Sequence, residues 1–211
     1  HLLYMDQIKR EIPDALFVHI IRDGRDVALS FAKQGWSYPL PWDRDERLGV
    51  AGLYWEWMVR KGQEQRKRLG TDYQEVRFEE LISNPEETLS KLGQFLHHDL
   101  DYERIQRAGI GSVSEPNSSF AGESGQSFNP LARWKTKMSS DQIAALEELI
   151  GDFLTKLGYS LGSRAKTWRL RTARLRSTYM AMFEAKHRMR STPFGRHVRL
   201  GRIEVEPPAP A

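Results

Sequence analysis

The chain has 211 residues, with 32 Lys+Arg against 28 Asp+Glu, 39% hydrophobic residues and no cysteine. That length buries a sizeable core in one or two domains. The missing cysteines exclude a disulfide scaffold, a cysteine-ligated zinc or iron–sulfur site and thiol catalysis, and no apolar run approaches the roughly 20 residues that span a bilayer. The net charge of +4 is unevenly spread: residues 164–211 hold 12 Lys+Arg and 3 Asp+Glu, leaving 20 basic against 25 acidic side chains in the first 163 residues. The basicity belongs to the tail.

Residues 2–11 have the spacing of an amphipathic helix, closed by Ile12-Pro13-Asp14. The chain begins at His1 inside this pattern, which leads us to expect a longer protein upstream. Residues 15–21, Ala-Leu-Phe-Val-His-Ile-Ile, predict a strand buried on both faces, as in a parallel sheet. The polar turn Arg22-Asp23-Gly24-Arg25-Asp26 and helical spacing over 27–33 follow. Strand, polar turn and helix in that order are the grammar of an α/β fold whose ligands sit past the strand ends.

Residues 36–45, with Pro39 and Pro41, read as a loop, and 48–69 as a long helix with Leu53, Trp57 and Val59 inside. Tyr54, Trp55, Trp57 and Met58 are candidates for an acceptor pocket, with Trp57 assigned to packing and Trp55 to the cleft. Residues 73–78 alternate as a second strand. Asn84 then caps a helix that has Pro85 at its first position and runs to about residue 96. Residues 109–130 form a Ser/Gly/Asn-rich loop of a length that is functional or disordered. Ser139 or Ser140 starts a helix with Ile143, Leu146, Leu149, Ile150 and Phe153 on one apolar face. A basic helical pattern spans about 164–190, and the end Pro207-Pro208-Ala209-Pro210-Ala211 reads as disordered. These features divide the chain into a body at 1–162, a basic helical tail at 163–203 and a Pro-rich end at 204–211.

The segment from Phe17 to Ser30 carries the chemistry. It sets Arg22 at the strand's end and Ser30 eight residues later, about two turns into the next helix. A guanidinium is a planar fork for phosphate and a hydroxyl adds one bond, while the helix N-terminus would add free N–H groups. In the plainer alternative, Arg22 and Asp26 form a surface ion pair and Ser30 is a tolerated helix residue, the commoner meaning of an isolated Arg-x₇-Ser.

Arg22-Asp23-Gly24-Arg25-Asp26-Val27-Ala28-Leu29-Ser30 resembles the 3′-phosphate-binding segment of sulfotransferases that use 3′-phosphoadenosine 5′-phosphosulfate (PAPS). Two more blocks agree in order: the segment from Tyr73 through Val76-Arg77-Phe78-Glu79-Glu80-Leu81 to Asn84-Pro85, and Arg133-Trp134-Lys135 before the last core helix. Together they cover about residues 1–160. The resemblance implies a P-loop-kinase-like, three-layer α/β fold with a mainly parallel sheet, truncated here at its N-terminus and helix-rich toward its C-terminus. It implies in-line sulfuryl transfer from PAPS, without a metal, to a hydroxyl or amine of a small molecule, glycan, lipid or peptide, in the cytoplasm.

By the same resemblance Arg22 and Ser30 hold the 3′-phosphate, and Arg133 or Lys135 meets a cofactor phosphate. Phe78 stands beside the nucleotide where relatives often carry tyrosine, and Ser118-Ser119-Phe120 is similar to an adenine-contacting segment. One departure is large. Neither Gly-x-x-x-x-Gly-Lys-[Ser/Thr] nor Lys-Ser-Gly-Thr occurs in the 211 residues, so no catalytic residue is assigned and these residues alone are expected to be inactive.

Ile21-Arg22-Asp23 is no kinase catalytic loop, because Ile21 replaces the histidine, Ala28 the asparagine, and no Asp-Phe-Gly follows. His19 reads as a hydrogen-bonded core histidine, and no spaced His/Asp/Glu set predicts a metal site. The basic tail either docks on the body or contacts an anionic membrane or polyanion. The latter makes the rival function a noncatalytic polyanion- or nucleic-acid-binding module, with no specific nucleic acid expected.

Overall fold

Branched and aromatic residues at Phe17–Ile21 (β1) and Tyr73–Arg77 (β2) form two parallel strands, registered from Phe17 against Tyr73 to Ile21 against Arg77. The computed structural model describes residues 1–108, 129–162 and 170–192. Most of the predicted 109–130 loop, including Ser118-Ser119-Phe120, the start of the basic tail and the Pro-rich end lie outside the described residues. The described part is α/β and helix-rich around this small parallel sheet.

β1 is covered on one face rather than two. Phe17, His19 and Ile21 are buried, while Ile20 on the opposite face is 53% exposed. A branched run reports a fit to a pleated surface and not the number of covered faces. Among the described residues the only strand beside β1 is β2. The covered side receives Met5 of α1 (Met5–Glu11), which packs with Phe17, Leu69 and Tyr73.

The remaining core is built around the long helix α3 (Arg47–Leu69), which buries Val50, Leu53, Trp55, Trp57 and Val59. α2 (Gly24–Lys33) lies close against it: a Cβ on Gly24 would stand 2.4 Å from the Trp55 ring. Residues 36–45, read as loop, include a short 3-10 turn at Pro41–Glu46. α4 (Phe78–Ser83) leaves the end of β2, and α5 (Pro85–Leu96) has Pro85 at its first position, as predicted. The Asn84 side chain makes no cap bond, however; its backbone sits at φ −134°, ψ 62°. α6 (Tyr102–Arg107) is capped by Asp101, and α7 (Trp134–Lys137) is a single turn.

α8 (Ser140–Lys156) carries a full capping box between Ser139 and Gln142. It seats Leu149 and Leu146 where Cβ atoms on Gly49 and Gly52 of α3 would lie 2.6 and 2.5 Å away. α9 (Leu170–Ser191) docks across α3. Its Tyr179 is fully buried and takes the Leu40 N–H at 2.6 Å, and its Phe183 ring meets Tyr54 and Trp57. Arg176 grips the fully buried Glu56 with two nitrogens at 2.7 and 2.5 Å, Arg60 shares that carboxylate, and Arg171 reaches Glu46.

His19 is the core histidine the strand pattern predicts, with its ring hydrogen-bonded to the Tyr73 hydroxyl and pressed against Gly62. Burial lowers its pKa below the ordinary 6.5, opposed by nearby Glu75. The folded protein therefore binds its proton less readily than the unfolded chain, so His19 stability is complete above about pH 6.5 and is lost as the pH falls through the depressed value. Urea unfolding at pH 7.5 and 5.5 should show a larger acid-side loss for wild type than for His19→Gln; equal losses would assign the pH dependence elsewhere. Tyr179→Ala should cost about 3–5 kcal/mol in the same assay, as for other large aromatic truncations in a core. A loss under 1 kcal/mol would mean that α9 contributes little.

Candidate functional site

Because Ile21 pairs with Arg77, Arg22 and Phe78 are the first residues beyond the paired ends of the two strands. This is the crevice where open α/β sheets bind ligands. The Arg22 guanidinium lies over the Phe78 ring, 4.5 Å from its centre. Its Nη2 donates to the Pro130 carbonyl and stands 3.6 Å from the Asp26 carboxylate. Its Nε is buried without a hydrogen-bond partner among the described residues.

The turn that holds Arg22 is clamped from several sides. The Asp23 N–H donates to Glu79 Oε1 at 2.8 Å, and Glu79 Oε2 accepts from the Tyr159 hydroxyl at 3.1 Å. Arg25, only 2% exposed, donates from Nε and Nη2 to the two Asp23 oxygens at 3.0 and 2.7 Å. Its Nη1 donates to Glu147 Oε1 at 2.6 Å and to the Ser160 carbonyl at 3.0 Å, and its plane stacks 3.7 Å from the Trp134 ring centre. Burial disfavours the charge on Arg25, but Asp23 and Glu147 more than offset it and hold its pKa above the ordinary value. The same Glu147 oxygen accepts the Gly162 N–H at 2.8 Å.

Asp26 joins the third block to this turn by accepting the Trp134 N–H at 2.9 Å. Burial pushes its carboxyl pKa up, opposed by the Trp134 amide and by Arg22. Arg22 and Asp26 do pair, but not as a surface pair: the Asp26 side chain is 2% exposed. The free helix amides expected beside Arg22 are also partly taken, since the Asp23 carboxylate accepts the Arg25 N–H at 2.9 Å. An aspartate directly before the helix is a strong N-cap, and it competes with any ligand for those groups.

Of the candidate residues, Arg22 and Phe78 are in contact. Arg133 is buried at the start of α7, next to the Trp134 that covers Arg25. Lys135 is exposed, with its ammonium 5.6 Å from the Trp134 ring. Ser30 is half-buried, six residues and so about 9 Å along α2 from Gly24, and its hydroxyl makes no hydrogen bond among the described residues. Trp57 is core, as expected, and Trp55 is core as well rather than in the cleft. Trp55 stands edge-on to Phe153 at 5.6 Å, because Gly24 admits its ring under α2. Trp57, although 7% exposed, lines a cavity together with Tyr54.

The sequence reading passed over Arg25, Glu79 and Glu147. Glu147 had a signal: it falls on the apolar face of α8, four residues after Ile143 and three before Ile150, where a carboxylate is buried only with a partner. Among the described residues no group of three or more His, Cys, Asp or Glu could hold a metal ion, and no described helix is long and apolar enough to cross a membrane.

Two parallel strands with an arginine, an aromatic ring and a capped helix at their ends define an α/β protein with a charged crevice. Residues 1–103 match the model of the sulfotransferase family. Over that segment, just under half of the chain, the protein is similar to sulfotransferases. No curated protein matches the chain. The matched segment contains Arg22, Arg25, Ser30, Phe78 and Glu79, while Arg133, Lys135 and Glu147 follow it.

Removing Arg25 would leave Asp23 and Glu147 buried without their shared cation. Arg25→Ala should therefore destabilise the protein by about 3–5 kcal/mol in denaturant unfolding, with a clearly smaller loss for Arg22→Ala. Comparable losses would show that Arg25 is not the structural centre of the turn.

Proposed function

We propose that the protein transfers a sulfuryl group from PAPS to a hydroxyl or amine acceptor, and that Arg22 and Ser30 hold the 3′-phosphate of that donor. The observation that carries this reading is Arg22 itself. In a family segment whose activity is sulfuryl transfer, its Nε is buried without a partner among the described residues, at the strand ends where α/β ligands bind. A buried polar atom left in that state is costly unless a ligand completes it.

The surrounding residues fit a phosphate. Phe78 fixes the plane of the Arg22 guanidinium, and a planar fork in a fixed orientation suits bidentate phosphate binding. Ser30 offers a hydroxyl with no competing bond among the described residues, and Lys135 supplies an exposed cation beside Trp134. Asp26 draws on Arg22 from one side and holds the Trp134 amide from the other, so it sets the distance between the first block and the Arg133-Trp134-Lys135 block.

PAPS, when bound, supplies the activated sulfuryl group. The residues named here bind and orient the far end of the donor. Such anchoring strengthens ground state and transition state alike, so its loss appears in donor affinity. The acceptor in this proposal is a small molecule, glycan, lipid or peptide bearing the hydroxyl or amine.

Calorimetry with adenosine 3′,5′-bisphosphate tests the reading. Arg22→Ala should weaken binding by about 2–4 kcal/mol and Ser30→Ala by about 0.5–1.5 kcal/mol, the difference between a charge-assisted and a neutral contact. A folded Arg22→Ala protein that binds like wild type would remove the 3′-phosphate assignment.

A further inference from the structure

A cavity of about 310 Å³ opens where the end of α2, the turn after it, α3 and α9 meet. Its lining changes character with depth. Val50, Ala51, Trp57 and Phe183 are buried and present hydrocarbon and ring carbon, the Trp57 N–H being given to Glu184 at 3.3 Å. The rings brace one another: Tyr54 stacks on Trp57 at 5.8 Å, Phe183 meets Tyr54 edge-on at 5.2 Å, and Phe31 stands edge-on to Trp36 at 5.5 Å. Such a wall does not readily collapse into the space it encloses. Toward solvent the lining turns polar, with Tyr38 of the turn and Lys186 of α9 both exposed.

The volume lies at the small end of the range for small-molecule sites, which pair an apolar wall with a few placed polar groups. An aromatic wall suits two kinds of guest: a cation over the ring faces, or an aromatic body packed among the rings. The charges at the cavity decide between them. Among the described residues no aspartate or glutamate lines it, whereas Lys186 and His187 do. Glu184, the only acid in the α9 sequence, is already held by Lys61 at 3.0 Å and Arg188 at 3.2 Å. Lys186 forms no ion pair among the described residues. A cationic guest would meet that ammonium with no lining carboxylate to offset it, while an anionic one would gain from it. We propose that this cavity binds a small aromatic anion, its ring among those of α2, α3 and α9 and its charged group at the mouth against Lys186. The site needs no nucleotide and stands independently of the donor reading.

The test is calorimetry on the full 211-residue chain with three probes of one shape: naphthalene-2-carboxylate, the neutral naphthalene-2-carboxamide, and trimethyl(naphthalen-2-ylmethyl)ammonium. Wild type should bind the carboxylate saturably at one site, with the carboxamide about fivefold weaker, the upper end for an exposed ion pair, and the ammonium weakest. Lys186→Gln should erase the preference for the carboxylate and leave the carboxamide affinity unchanged. Tyr54→Leu removes a ring from the wall, so it should weaken both naphthalenes alike. Saturating adenosine 3′,5′-bisphosphate should leave the carboxylate isotherm as it is; displacement would put the probe in the donor crevice and overturn the proposal. No saturable binding by folded wild type, an ammonium that binds best, or a carboxylate preference that survives Lys186→Gln would each overturn it too. Should Tyr54→Leu fail to fold, Lys186→Gln decides alone, since it changes an exposed side chain.

Discussion

A guanidinium cannot be taken out of water without carboxylates to meet it, and the burial of Arg25 imposes that condition on the whole first block. Asp23 meets it from the preceding turn and at the same time caps α2. Glu147 meets it from α8 and ties in the Gly162 amide, while Trp134 closes over the open face. The position of Arg22 follows from this arrangement. It is held at the strand end by neighbours whose own partners are fixed, so its fork is aimed before any ligand arrives. A preorganised charge loses less entropy on binding than a mobile one.

α3 plays the complementary role for the helices. Glycines at 49 and 52 bring α8 within contact of its backbone, and Gly24 of α2 admits the Trp55 ring. The only fully buried carboxylate on α3, Glu56, is answered by Arg60 on the same helix and by Arg176 on α9. The C-terminal helix is therefore attached by an ion pair as well as by Tyr179 and Phe183. Part of the basic character that stands out in the tail is turned inward against the body.

Elements governed by local rules were legible in the sequence. A branched run gave β1 and alternation gave β2, Pro85 and Ser139 or Ser140 gave two helix starts, and spacing gave the apolar faces of α3 and α8. Arg22 and Phe78 could be singled out because a short motif places them at strand ends, and the register then brings them together. What escaped reading depends on contacts between distant segments. Nothing near Trp55 tells that its ring enters the core beside Trp57; that is settled by a missing side chain at Gly24 on another helix. The Arg25 network escaped for the same reason, since its partners lie before, 122 and 135 residues after it. The exposed face of β1 was misread because propensity describes a strand and not its neighbours.

That separation also orders events during synthesis. A ribosome makes the β1–α2 turn well over a hundred residues before it makes Glu147. In the interval Arg25 has only Asp23 beside it and must remain hydrated, so the N-terminal segment can form its helices but cannot seal its interior. Closure waits for α8, and closing so long a loop is the slow, entropy-limited kind of step. The charged crevice at the strand ends therefore needs α8 in place before its charges are all met.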